Sequence, residues 1–118
     1  MPHLLLVDDD PEGLEWLSEF AKAESFTVSQ ADSLRAARIH MSRLQPDILL
    51  TDLQLPDGKG VELVADLESR DSTEVVMITA HASVESVVEA LRLGATDYLV
   101  KPVDMERLKA ILRRVPRT

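Results

Sequence analysis

The chain reads as an α/β domain, five short strands alternating with five helices, with a parallel sheet covered on both faces. Three observations predict this. Leu4 to Val7, Ile48 to Leu50 and Val75 to Ile78 are apolar on consecutive residues, as strands buried on both faces are. Stretches with apolar residues at helical spacing separate these runs, and parallel neighbours need such a crossover between them. Each run also halts at polar residues, at Asp8, at Thr51-Asp52 or at Thr79.

The first strand stops at Asp8-Asp9-Asp10-Pro11, where Asp10 is placed as an N-cap and Pro11 at the first helical position. Leu14, Leu17 and Ala21, with Trp16 and Phe20 on a neighbouring line, mark a helix to about Glu24. Phe26 to Ala31 forms a second strand. Asp32 or Ser33 then caps a helix on Leu34, Ala37, Met41 and Leu44 that ends before Pro46. The third strand runs from Ile48 to Asp52 and leaves through Pro56-Asp57-Gly58-Lys59-Gly60, whose residues favour turns. A third helix is expected on Val61, Val64 and Leu67. Val75 to Ile78 is the fourth strand, ending at Thr79-Ala80-His81. Val84, Val87, Val88 and Leu91 stripe a fourth helix closed by Gly94. Asp97 to Val100 is the fifth strand, ending at Lys101-Pro102. Asp104 caps a last helix that turns Met105, Leu108, Ile111 and Leu112 inward before Pro116.

A chain of 118 residues holds one domain, here 1–118, with Arg113-Arg114 and Pro116 marking the start of a linker at about 113–118. It has no cysteine, which excludes disulfides and thiolate chemistry. The net charge of −8 opposes direct nucleic-acid binding, because phosphate contacts need concentrated lysine and arginine. No apolar run is long enough for a bilayer, and the amino end lacks the pattern of a secretory signal, so a cytoplasmic location and no membrane contact are expected.

In an open parallel sheet, ligands bind beyond the carboxyl ends of the strands. Those ends carry Asp8 and Asp9, Asp52, Thr79 and Lys101. A lone strand-end aspartate more often caps a turn than does chemistry, and Thr79, Lys101 or Tyr98 taken singly is an ordinary residue. Their joint occurrence on one rim reverses that reading. Three crowded carboxylates repel unless a cation joins them, and an all-oxygen set suits a hard ion, magnesium with retained waters, or manganese in its place. Two charges from the metal and one from Lys101 cancel those of the three carboxylates, so the pocket admits a phosphoryl group. Such a site equips Asp52 to accept phosphate as an acyl phosphate.

At these residues the whole chain resembles the receiver domain of two-component response regulators. Val7-Asp8-Asp9-Asp10, Thr51-Asp52-Leu53-Gln54-Leu55-Pro56, Ile78-Thr79-Ala80 and Tyr98-Leu99-Val100-Lys101-Pro102 look like its acidic, phosphoacceptor, hydroxyl and lysine motifs. The resemblance implies a doubly wound, flavodoxin-like (CheY-like) sheet in the order 2-1-3-4-5, which the spacing alone does not supply. It implies that Asp52 takes phosphate from a sensor histidine kinase, and that Asp9 and Asp52 ligate magnesium with the Gln54 backbone carbonyl, Asp8 acting largely through water. Lys101 would pair with the phosphoryl group across a Lys101-Pro102 bond that is often cis. Thr79 would move to the phosphoryl group and Tyr98 would turn inward behind it, changing the surface of the fourth helix and fifth strand. Lys59 departs from the small or acidic residue that many relatives carry there.

Thr79-Ala80-His81-Ala82-Ser83 and Leu93 to Pro102 look most like receivers of NtrC-type activators that work with the sigma-54 polymerase, which implies transcription regulation as the output. Those activators carry an ATPase and a DNA-binding domain, absent from this chain, so it reads as part of a longer protein, with a free-standing receiver as the alternative. A homodimer through the fourth helix, fifth strand and fifth helix is a further expectation. Gln54 and His81, each two residues past a site residue, are expected to tune dephosphorylation; the plainer reading is that both face solvent. Two rivals remain in view. A magnesium-dependent phosphohydrolase with an aspartyl nucleophile would place an acid where Gln54 stands. A phosphorylation-independent interaction module often lacks an acid or the lysine. The receiver reading makes the chain no enzyme beyond its own phosphorylation and dephosphorylation.

Overall fold

A computed structural model describes residues 1–68 and 70–116. The element order is β1 (His3–Val7), α1 (Pro11–Ala23), β2 (Thr27–Ala31), α2 (Leu34–Arg43), β3 (Ile48–Asp52) and the two-residue strands β4 (Gln54–Leu55) and β5 (Gly58–Lys59). Then come 3-10 segments at Gly60–Asp66 and Arg70–Ser72, followed by β6 (Glu74–Thr79), α3 (Val84–Arg92), β7 (Asp97–Val100) and α4 (Met105–Arg113). The five long strands form one parallel sheet in the order β2-β1-β3-β6-β7. This is the 2-1-3-4-5 order, with the small antiparallel β4-β5 hairpin set aside.

Alternation along the strands divides the core between the two faces. Leu5, Val7, Leu49, Val75 and Met77 pack with Ala37, Met41, Leu63 and Val64 on one side. Leu4, Leu6, Ile48, Leu50, Val76 and Ile78 pack with Leu17, Phe26, Leu108 and Leu112 on the other. Each fully buried aliphatic contributes roughly 1.5–3 kcal/mol, so this double layer, not the polar rim, carries the fold. Asp10, Ser33, Ser83 and Asp104 all cap helices with their side chains.

The structure refines two helix expectations. The third crossover is a 3-10 helix over Gly60–Asp66 rather than an α-helix. Val61, Leu63 and Val64 are its buried apolar residues, and Leu67 follows as its C-cap, buried as well. The stripe of α3 faces mostly outward: Ala90 is buried, whereas Val84 is 81% exposed and Val88 and Leu91 about half exposed. At the far end of the chain, Arg114 caps α4 and pairs with Glu74 and Asp97. Of the expected linker start, residues 117 and 118 lie outside the described residues. No helix among the described residues is long and apolar enough to cross a membrane.

Candidate functional site

The carboxyl ends of β1, β3 and β7 converge on one rim. Asp8 continues β1 by one step, its N–H bonding Ala31 O at 3.0 Å, which fixes its backbone like that of a strand residue. Its side chain is 2% exposed, with Oδ1 accepting the Asp10 N–H at 3.0 Å. Asp9 follows and is exposed. Asp52 ends β3 opposite Ile78 and is 8% exposed, with Oδ1 accepting the Gln54 N–H at 3.2 Å. The next residue stays tied to the sheet through Leu53 N–H to Ile78 O. Gly60 then folds back onto Leu53 O, so close that a Cβ there would lie 2.2 Å from Asp52 O.

Lys101 leaves β7 with its N–H on Thr79 O at 2.8 Å, and its bond to Pro102 is cis. Its ammonium lies 3.0 Å from Asp8 Oδ2 and 3.0 Å from Asp52 Oδ2. One cation therefore bridges two buried acids. Burial pushes the Asp52 carboxyl above its usual range, although the hydrogen bonds from Lys101 and the Gln54 N–H pull the other way. Burial alone would lower the Lys101 ammonium, but its bonds to Asp8 and Asp52 outweigh this and raise it.

Asp8, Asp9 and Asp52 each offer a carboxylate oxygen within 4.8 Å of the others. Oxygens on opposite sides of a magnesium ion lie about 4.2 Å apart, given metal–oxygen distances of about 2.1 Å. The all-oxygen donor set suits such an ion in chemistry, while its 4.8 Å limit is slightly wider than that span.

Thr79 is buried beside this group, and its hydroxyl accepts the His81 N–H at 3.1 Å. Gln54 and His81 both present exposed side chains. Tyr98 is 8% exposed, so the structure holds the inward of the two positions implied for it; its hydroxyl meets Ser86 Oγ at 3.1 Å. A cavity of about 220 Å³ opens next to the rim, between Asp8, Asp10, Trp16, Leu17, Lys101 and Pro102. A larger one, about 610 Å³, lies at the opposite end of the sheet against Asp47, Glu74, Thr96 and Arg114, away from the clustered acids.

The sequence reading passed over Gly60, taken only as a turn residue, and Ser86. For Ser86 a local signal existed, since Ser83 and Ser86 have capping-box spacing, but its contact with Tyr98 is long-range.

A family model described as the response regulator receiver domain matches residues 4–113. The chain belongs to that family. The response regulator protein PilR of Pseudomonas aeruginosa is 38% identical over 109 residues, which cover 92% of this chain and 24% of PilR. The regulatory protein AtoC of Escherichia coli is 35% identical over 112 residues, covering 94% of this chain and 24% of AtoC. The solution structure of the beryllofluoride-activated NtrC4 receiver domain dimer matches with a TM-score of 0.88 at 31% identity, covering 98% of this chain and 96% of that one. The chain spans about a quarter of the length of PilR and AtoC.

Proposed function

We propose that Asp52 is the phosphoacceptor of a signalling switch fed by a sensor histidine kinase. The observation that carries this reading is the Lys101 ammonium placed between Asp8 and Asp52, on a rim where three carboxylates gather. An Asp52 oxygen bonds to phosphorus as the bond from phosphorus to the donor imidazole nitrogen breaks. That nitrogen keeps the electron pair and takes up a proton, and the product is an acyl phosphate. Asp52 is held for this by the Gln54 N–H and by Lys101, which follows the transferred oxygens as their charge develops.

Asp8, Asp9 and Asp52, with the Gln54 backbone carbonyl, would hold magnesium or manganese, Asp8 largely through water. Bound there, the metal supplies charge neutralisation and alignment of the phosphoryl group. Thr79 and Tyr98 read the result, and the outward apolar face of α3, with β7 and α4, offers it to a partner or a second copy. The output is regulation of transcription, exerted in the cytoplasm through domains outside this sequence, without direct nucleic-acid or membrane contact by this domain.

Intact-mass measurement after acetyl phosphate and magnesium tests the proposal. One phosphoryl increment on the parent and none on Asp52→Asn is expected; equal modification of both removes Asp52 from the role. A phosphohydrolase is the second reading, on the ground that an aspartyl acceptor and an acidic cluster serve it too. Gln54 weighs against it, because its exposed amide stands where a general acid is needed. Sustained phosphate release from phosphomonoesters would favour the enzyme, and a parent that takes no phosphate would favour a plain interaction module.

A further inference from the structure

Ser86 stands in the first turn of α3, where the cap and the Tyr98 hydroxyl meet. Its Oγ lies 3.0 Å from Ser83 O, 3.1 Å from Ser83 N and 3.1 Å from Tyr98 Oη. In return, Ser83 Oγ accepts the Ser86 N–H at 3.1 Å. A serine hydroxyl has one proton and two acceptor sites. The Ser83 hydroxyl also lies 3.1 Å from Ser86 Oγ, so it competes with the Tyr98 hydroxyl for the acceptor site that the Ser83 N–H leaves open, and either oxygen can supply the proton between Ser86 and Tyr98. The contact ties Tyr98 to the helix cap whichever oxygen donates. The Tyr98 ring belongs to the same apolar cluster as Met77 and Ala90, and three residues further on Lys101 begins the rim.

We propose that Ser86 is a positioning residue: through its hydrogen bond with the Tyr98 hydroxyl it holds Tyr98 inward and joins that position to the start of α3. The switch role rests on Asp52 being the phosphoacceptor; the positioning of Tyr98 does not. Turning Tyr98 outward breaks this contact, and removing Ser86 strands the Tyr98 hydroxyl in an apolar setting, so the two positions change together. Whatever favours the inward position also favours phosphorylation, by linkage.

Tyr98 is the single tyrosine of the chain, so ring carbon-13 labelling gives it an unobstructed NMR signal. Without any phosphodonor, Ser86→Ala should move that signal toward an exposed ring environment, and Ser86→Thr, which keeps the hydroxyl, should restore it. The acetyl phosphate needed for half modification should rise about five-fold in Ser86→Ala, the equivalent of one ordinary hydrogen bond. It should rise similarly in Tyr98→Phe, and no further in the double variant, because both changes break the same contact. An unmoved tyrosine signal in Ser86→Ala, or additive effects in the double variant, overturns the proposal. A parent that takes no phosphate refutes the phosphoacceptor reading and the switch role with it, while the tyrosine signal still decides whether Ser86 positions Tyr98.

Discussion

Asp57, at the tip of the β4-β5 hairpin that follows β3, accepts the Leu34 N–H at 2.8 Å, joining residues 23 apart. Its other oxygen accepts the Arg35 N–H at 3.1 Å, while Ser33, at the N-cap, accepts the Ala36 N–H. The free N–H groups of α2 are thus closed partly by the loop that follows β3, and the loop is held in turn.

Asp57→Ala should lower the melting temperature by a few degrees at neutral pH, as loss of a helix cap does. The bonds from Leu34 and Arg35 hold its carboxyl below the usual range, the Leu34 bond most of all. A depressed carboxyl contributes stability above its unfolded value and loses it as pH falls through the folded one. The gap between parent and variant should therefore close on acidification, and a gap unchanged with pH in melting curves would refute the assignment.

Asp52→Asn should be more stable than the parent without divalent metal. Burial raises the Asp52 carboxyl, so its ionised form is the costly one in the folded state and stability falls as pH rises through that range. A gain of about 4 °C, or ~1 kcal/mol, is expected at pH 7. Magnesium at ten times its dissociation constant should stabilise the parent by ~1.4 kcal/mol and the variant by less. Calorimetry with and without the ion measures both.

Gly60→Ala places a methyl group 2.2 Å from Asp52 O and 2.7 Å from Thr51 Oγ1. Backbone at the end of a central strand has no room to yield, so a loss of about 3 kcal/mol is expected from urea titration. A loss under ~1 kcal/mol would show that the segment relaxes freely.

Gln54→Ala and His81→Ala should change how long the acyl phosphate lasts without preventing its formation. Both side chains are exposed, and their backbone N–H groups bind Asp52 and Thr79, which places them beside the residues proposed to hold the phosphoryl group. A time course of intact mass after donor removal reads this; decay equal to the parent's in both variants would eliminate the idea.

His3 bridges Thr27 and Ser29 across β1 and β2, at 2.7 and 3.0 Å. Burial lowers its imidazole, with Asp47 pulling upward and His40 adding to the lowering. A lowered histidine costs stability as pH falls from about 6.5, because the unfolded chain takes up the proton first. His3→Asn should flatten the decline in melting temperature between pH 7.5 and 5.5; an identical slope would rule out His3 as its source.

The strands and the rim were legible because each is written in consecutive residues: an apolar run, then the polar residue that ends it. Asp8, Asp52, Thr79 and Lys101 could be placed on one rim from strand ends alone, whereas the strand order that sets Asp8 beside Asp52 came from the resemblance. Contacts that depend on how a loop returns were not legible in this way. Asp57 reads as a turn former until α2 meets it, and nothing next to Ser86 in the sequence announces its contact with Tyr98, twelve residues on. The outward face of α3 was ambiguous for a related reason, since Val84, Val88 and Leu91 keep a helical stripe whether a core or a partner receives it.

Trp16 is the single tryptophan and is 55% exposed, on the wall of the small cavity that Asp8 and Lys101 also line. Its indole is consequently a built-in optical probe. Light emitted by the unlabelled protein reports events at the acidic end, and a titration of metal or phosphodonor can be followed by fluorescence without attaching a dye.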